Sequence, residues 1–264
     1  MTDVVILLAA GFLTGISTIL FGFGGGFVVV PLVYHLIAGA QPGQAMHIAV
    51  ATSTALMILN AGYASYGHWR RGALRRETII PLCYALAGGA LIGALIGAFI
   101  ATRLTDGLIR LLFILYMLLT IADCVWRKGF LQKTARRPLS AVTLWLGGPG
   151  IGVIAAMLGV GGSVMTVPLL RRHGYEMKYC VSAANPLSIA IALMGAGMYG
   201  WLGHGKIAGA GYLGYVNLGM LAWLALSGML GMAFARYALP KMGDELHARV
   251  YVWLLVLVLV SMLL

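Results

Sequence analysis

The chain has 264 residues, of which 61% are hydrophobic and only 9% charged. Soluble domains carry about 25% charged residues, so this one has too little polar surface to face water on all sides. Its net charge of +11 invites a nucleic-acid partner, but the basic residues lie in short loops between apolar segments, as orientation signals do. They do not form a face interleaved with aromatics, which excludes nucleic acid as the partner.

In chain order the apolar segments are Val4–Leu20, Phe27–Ile37, Ala45–Ala64, Ile79–Ala101, Leu108–Val125, Ala141–Leu158, Val181–Tyr199, Gly209–Ala235 and Val250–Leu264. Several reach the roughly 20 residues of a spanning helix, which predicts an all-α polytopic membrane protein in a lipid bilayer. The N-terminus, Met1-Thr-Asp-Val4, lacks the basic region of a secretory signal, so the first segment is expected to be retained. Cys83, Cys124 and Cys180 stand alone in apolar segments and read as buried thiols, with neither disulfide nor zinc spacing.

Between the first two segments lies Phe21-Gly-Phe-Gly-Gly-Gly-Phe27, with Pro31 close behind. It recurs as Leu158-Gly-Val-Gly-Gly-Ser-Val164, with Pro168. Gly24, Gly25 and Pro31 map onto Gly161, Gly162 and Pro168 at a constant offset of 137 residues. Further on, Tyr66-Gly67 pairs with Tyr199-Gly200 and Gly72 with Gly205 at offset 133, and Ala98-Phe99 with Ala233-Phe234 at offset 135. Residues 1–126 and 139–264 thus read as two membrane repeats of about five helical segments, joined by the basic linker 127–138.

Phe27–Ile37 is short for a span, so each repeat is expected to open with a glycine-broken hairpin, re-entrant or tilted. Loop charge tests that topology. If each hairpin returns to its own side, 15 of the 18 basic residues fall on one face, leaving Arg103, Arg110 and Lys206 on the other. Counting each hairpin as one crossing gives 10 against 8, hardly a bias. The positive-inside rule therefore favours hairpins, a cytoplasmic linker, both termini outside, and a second repeat inverted relative to the first. Inverted repeats with broken helices are a recurring transporter architecture.

A helix that starts at a glycine cluster bares N–H groups and the positive end of its dipole, which suits an anion. Gly24, Gly25 and Gly26 open one such helix; Gly161, Gly162 and Ser163 open the other. Close helix packing is the competing explanation of these glycines. His47, Thr52, Ser53 and Thr54, with Ser182, Asn185 and Pro186, form a second polar ring, Thr52 meeting Asn185 at offset 133. Hydroxyls and amides donate to oxyanions, and they also serve as interhelical glue. Gly89, Gly93 and Gly97 make a small-residue face for packing within the fold or between subunits of a homodimer. Asp123, four residues before Arg127, reads as an ion-paired helix end.

Six of the seven acidic residues look terminal or loop-borne, so a cation pathway has little to stand on. The sequence carries no cofactor fingerprint, metal-ligand motif, nucleophile elbow or paired catalytic carboxylate, which argues against an enzyme.

Two copies of G-x-G-G-[GS], each with a proline six residues after its last paired glycine, and the small-polar stretch Ala49-Val-Ala-Thr-Ser53 resemble the sulfite exporter TauE/SafE family. The resemblance extends to size and duplication. It implies a secondary carrier that moves small sulfur-containing anions such as sulfite or sulfonates across the bacterial inner membrane, by alternating access. Ser163 in place of a third glycine, and Asn185-Pro186 facing Thr52-Ser53, depart from a strict duplication. His47 is the candidate for proton coupling. Two alternatives stand beside the carrier: a non-transporting assembly or insertion protein, and an intramembrane enzyme acting on lipid phosphates.

Overall fold

Glycines and single capping side chains, rather than long polar loops, decide where the helices stop. The computed structural model describes residues 2–70, 79–127, 129–131, 135, 139–207, 209–240 and 242–264. Arg71, Gly72, Arg75, Arg76, Glu77, Lys128, Lys133, Arg136, Arg137, Lys241 and the Cys83 side chain lie outside the described residues. The helices are α1 (Thr2–Phe21), α2 (Gly26–Ile37), α3 (Ala45–Arg70), α4 (Ile79–Ala101), α5 (Asp106–Trp126), α6 (Ala141–Leu158), α7 (Ser163–Arg172), α8 (Met177–Leu202), α9 (Leu218–Tyr237) and α10 (Asp244–Leu263). Ser140 caps α6 by accepting from Thr143 N–H, and Asn217 caps α9 by accepting from Met220 N–H.

Among the described residues six helices (α1, α3, α5, α8, α9 and α10) are long and apolar enough to cross a membrane. α2 and α7, with 12 and 10 residues, rise about 18 and 15 Å and fall short of the roughly 30 Å hydrocarbon core. The all-helical expectation has one exception. Residues 209–217, read from sequence as the start of a helical segment, instead contain an antiparallel hairpin, β1 (Tyr212–Leu213) with β2 (Val216–Asn217). Gly209, Gly211 and Gly214, all at positive φ, hold that segment out of a helix.

The packing repeats itself when α1–α5 are exchanged for α6–α10. α1 lies against α9 as α6 lies against α4; α2 packs on α3 as α7 packs on α8; α3 meets α8, and α5 meets α10. Both long crossings are made by glycines. Gly11 and Gly15 of α1 sit on the backbone of Leu224 and Gly228, where Gly148 and Gly152 of α6 sit on that of Leu86 and Ala90. Gly89, Gly93 and Gly97 pack on Pro149 and Val153 of α6 in the same chain, so they lend no support to a homodimer. α3 and α8 form the centre. Of their apolar windows 78% and 61% are buried, against 28–39% for α1, α5, α9 and α10, whose outer faces carry exposed Leu115, Leu119, Leu230 and Trp253. Cys124 and Cys180 are buried free thiols.

Two aspartates anchor the halves alike. Asp106, opening α5, accepts from Met46 N–H at 2.9 Å and pairs with His47 at 2.6 Å. Asp244, opening α10, accepts from Met177 N–H at 2.9 Å and pairs with Arg171 at 2.6 Å. Arg171, read from sequence as a loop charge, is fully buried and also donates to Phe130 O and Tyr175 O. Met46 and Met177, like Val50 and Val181 against Gly159 and Gly22, are 131 residues apart. This corrects the offset of 133: Thr54, not Thr52, corresponds to Asn185. Tyr66 and Tyr199, matched by the old offset, are exposed and fully buried respectively.

Weakening the charge under a buried guanidinium is costly. Asp244→Asn is expected to lower the unfolding free energy by about 2 kcal/mol, the scale of one hydrogen bond to a charged group. Thermal unfolding in detergent checks this; an unchanged midpoint would show that Phe130 O and Tyr175 O suffice for Arg171.

Candidate functional site

α1 ends at Phe21, and the chain turns through Gly22, Gly24 and Gly25 at φ values of +74°, +61° and +90° before α2 begins. α6 ends at Leu158, and Gly159 and Gly161 turn the chain at +67° and +74° before α7. Left-handed backbone of this kind favours glycine. Gly162, the counterpart of Gly25, has an ordinary φ of −67°, so the two turns differ at one residue. Gly26 N–H bonds to Phe23 O at 3.3 Å. Among the described residues no backbone acceptor is seen for the N–H groups of Phe27 and Val28, or of Ser163, Val164 and Met165, in the first turns of α2 and α7. In hydrocarbon each such group costs several kcal/mol unless a partner arrives.

The two turns touch. A Cβ built on Gly26 would lie 2.5 Å from Gly159 O, and one on Gly161 would lie 3.5 Å from Phe23 O. Ser53 Oγ reaches both sides, 2.6 Å from Gly159 O and 3.1 Å from Gly26 O, sharing one proton between them. Met57, one turn further along α3, puts its side chain against Gly24, Gly26 and Gly161. Asn60, on the same face, packs its amide against Gly25, which Thr14 also approaches, and against Gly228. Ser188, one turn beyond Asn185 on α8, contacts Gly161.

Three fully buried polar side chains here find no hydrogen-bond partner: both amide atoms of Asn60, both of Asn185, and Ser163 Oγ. The remaining hydroxyls mostly return to their own helix: Thr54 to Val50 O, Ser188 to Ala184 O and Ser182 to Tyr179 O. Unmade bonds of this kind cost about 1–3 kcal/mol per group, so their presence calls for a cause.

The structure therefore brings Gly24, Gly25, Gly26, Gly161, Gly162, Ser163 and Ser53 together at the crossing of the two halves, with Asn185 one turn from Ser188. It does not bring His47 or Thr52 into that set. His47 Nδ1 faces Asp106, its Nε2 lies 3.1 Å from Ala101 O, and its ring stacks on Tyr215. Thr52 Oγ1 accepts from Asn217 N–H at 3.0 Å, under the β-hairpin. Both residues anchor the β-hairpin end of the bundle. Asp123 is ion-paired as its spacing suggests, with Arg127 at 3.4 Å, and also with Arg172 at the end of α7.

Met57 and Asn60 escaped the sequence reading. The available signal was spacing: Ser53, Met57 and Asn60 follow i, i+4, i+7 and so share one helix face. An asparagine inside the apolar run Ala45–Ala64 also stood out as an intramembrane amide.

Truncating Ser53 to alanine removes the hydroxyl that ties the two turns. It is expected to cost about 1 kcal/mol of stability. Unaltered melting in Ser53→Ala would show that Met57 alone holds the turns together.

Comparison with known proteins agrees with this architecture. The family model described as "Sulfite exporter TauE/SafE" matches residues 7–262. A probable membrane transporter protein of Methanocaldococcus jannaschii is 23% identical over 247 residues, covering 89% of this chain and 88% of its own. Another, from Haemophilus influenzae, is 24% identical over 251 residues, covering 94% and 90%. No solved structure matches the chain significantly. The chain is a multi-pass helical membrane protein and belongs to the sulfite exporter TauE/SafE family of membrane transporters.

Proposed function

We propose that this protein is a secondary carrier for small sulfur-containing oxyanions, of the sulfite and sulfonate class, and that the anion binds where the glycine turns of α2 and α7 meet. The observation that carries this reading is the juxtaposition of two bared helix N-termini with buried Asn60 and Ser163, unpartnered among the described residues, with Asn185 one turn before Ser188 on α8. An oxyanion satisfies the donors among these groups at once and needs no cationic side chain. The turns are in contact through Ser53 and Met57, so admitting an anion requires them to part. Alternating access then amounts to moving one hairpin, α1–α2 or α6–α7, against the α3–α8 pair.

In this reading residues 1–126 and 139–264 are inverted repeats, the linker 127–138 is cytoplasmic and both termini are outside, as loop charge favours. Export is the favoured direction. A negative interior drives an anion outward with about 2.3 kcal/mol per charge per 100 mV. His47 lies at the β-hairpin end of the bundle, paired with Asp106 and away from the glycine turns, which leaves the membrane potential to supply the drive.

Flux in proteoliposomes, measured across sulfite, methanesulfonate, thiosulfate and sulfate, tests the proposal. Saturable, potential-dependent flux of one of the first two supports it. Folded protein that carries none of the four overturns it.

A further inference from the structure

The two ends of α3 are finished differently. At its N-terminal end the β-hairpin folds over the bundle: Tyr215 N–H bonds to Tyr199 O at 3.3 Å, and the Tyr215 ring stacks on His47. At its C-terminal end, among the described residues, lies a cavity of about 450 Å³ lined by Tyr63, Tyr66, Gly67, Arg70, Arg236 and Tyr237. Arg236, from the last turn of α9, lies over the Tyr63 ring at 4.6 Å and donates to Tyr63 O at 3.5 Å. Arg70 lies over the Tyr66 ring at 5.7 Å.

Among the described residues neither guanidinium is paired with a carboxylate; the carboxylates seen in ion pairs serve His47, Arg127, Arg171, Arg172 and Lys178. Gly67 makes the arrangement possible, since a Cβ there would lie 2.0 Å from an Arg236 terminal nitrogen. Gly67 also stands on the α3 face that carries Ser53, Met57, Asn60 and Ala64. Seven residues separate Asn60 from Gly67, about 10 Å of helix.

We propose that Arg236 and Arg70 form an oxyanion-binding antechamber, from which the anion passes along this face of α3 to Asn60 and the glycine turns. The inference rests on the carrier reading above. A guanidinium held over a tyrosine ring keeps several N–H donors free for a sulfonate or sulfite oxygen, and tyrosine hydroxyls add neutral donors. The end of α8 that corresponds to this one is covered by the β-hairpin, so the antechamber serves one membrane face only.

The test is initial-rate methanesulfonate flux, measured from each face separately in vesicles of defined orientation. Arg236→Gln is expected to raise KM about tenfold from the face holding the α3 C-terminus, with maximal rate from that face within twofold. Because the equilibrium across the membrane is unchanged, the ratio of maximal rate to KM from the other face falls by the same factor, through slower release. Arg236→Lys should recover part of the loss. Arg249→Gln removes the same charge from an exposed site on α10 and is expected to leave KM alone. A parent-like KM in Arg236→Gln from both faces overturns the antechamber while flux by the parent upholds the carrier; a parent without flux instead fails the carrier reading.

A phospholipid phosphate presents the same chemistry, so a second arm uses delipidated protein in maltoside. Saturable methanesulfonate binding that weakens in Arg236→Gln supports the proposal. Phosphatidylglycerol binding that is lost in Arg236→Gln while methanesulfonate binding is unchanged overturns it in favour of a lipid.

Discussion

Asn60→Leu is expected to stabilise the protein against heat while weakening its affinity for the transported anion by tenfold or more. The two effects have one cause. Asn60 is fully buried and its amide makes no hydrogen bond, so the resting protein bears the cost of two desolvated polar atoms, about 1–3 kcal/mol for each. Leucine has the same branched shape, with bulkier methyl groups, and removes that cost. It also removes a donor whose bond to an anion is worth about 1.5–3 kcal/mol, or roughly ten- to a hundredfold in affinity. Melting temperature and flux KM, taken on one preparation, check both halves. A variant that melts lower with an unchanged KM would make Asn60 interhelical glue.

The second large effect separates two residues that occupy the same place in the repeated motif. Gly25→Ala is expected to reduce flux more than tenfold, whereas Gly162→Ala should keep flux within about twofold of the parent. At Gly25 φ is +90°, where alanine costs about 1–2 kcal/mol in backbone strain alone. Its Cβ would also fall 2.6 Å from Asn60 Nδ2 and 2.7 Å from Thr14 Cγ2, pushing the turn away from α3. At Gly162 φ is −67°, and the nearest obstacle is the flexible tip of Ile191 at 2.7 Å. Proteoliposome flux, normalised to folded protein, reads the difference. Equal losses in both variants would mean that small size, not backbone conformation, is what the motif requires.

The glycine breaks were legible because glycine and proline act locally. Clusters at residues 22–26 and 159–162 stop helices where their glycines turn to positive φ, and the apolar runs between them have helix length. The register between the repeats was not legible in the same way. Matching Thr52 with Asn185 and Tyr66 with Tyr199 follows residue type, whereas the true register is fixed by Asp106 and Asp244 reaching back to Met46 and Met177 over 60 and 67 residues. Distance in sequence also hid the roles of His47 and Thr52. Their partners, Asp106 and Asn217, lie 59 and 165 residues on, so two polar side chains near the motif looked like neighbours of the site. Arg171 misled in the opposite direction. A basic residue beside a short loop reads as a solvated charge, yet Asp244 and two carbonyls make its burial tolerable.

The central claim is that one oxyanion sits between the bared N-termini of α2 and α7. Selenite replaces the sulfur of sulfite with an anomalous scatterer, and locating it by anomalous diffraction from crystals of the full chain tests the claim directly. One strong peak is expected between the turns, with its oxygens about 3 Å from N–H groups of both Phe27–Val28 and Ser163–Met165. A bound selenite elsewhere in the bundle, with none between the turns, would contradict it.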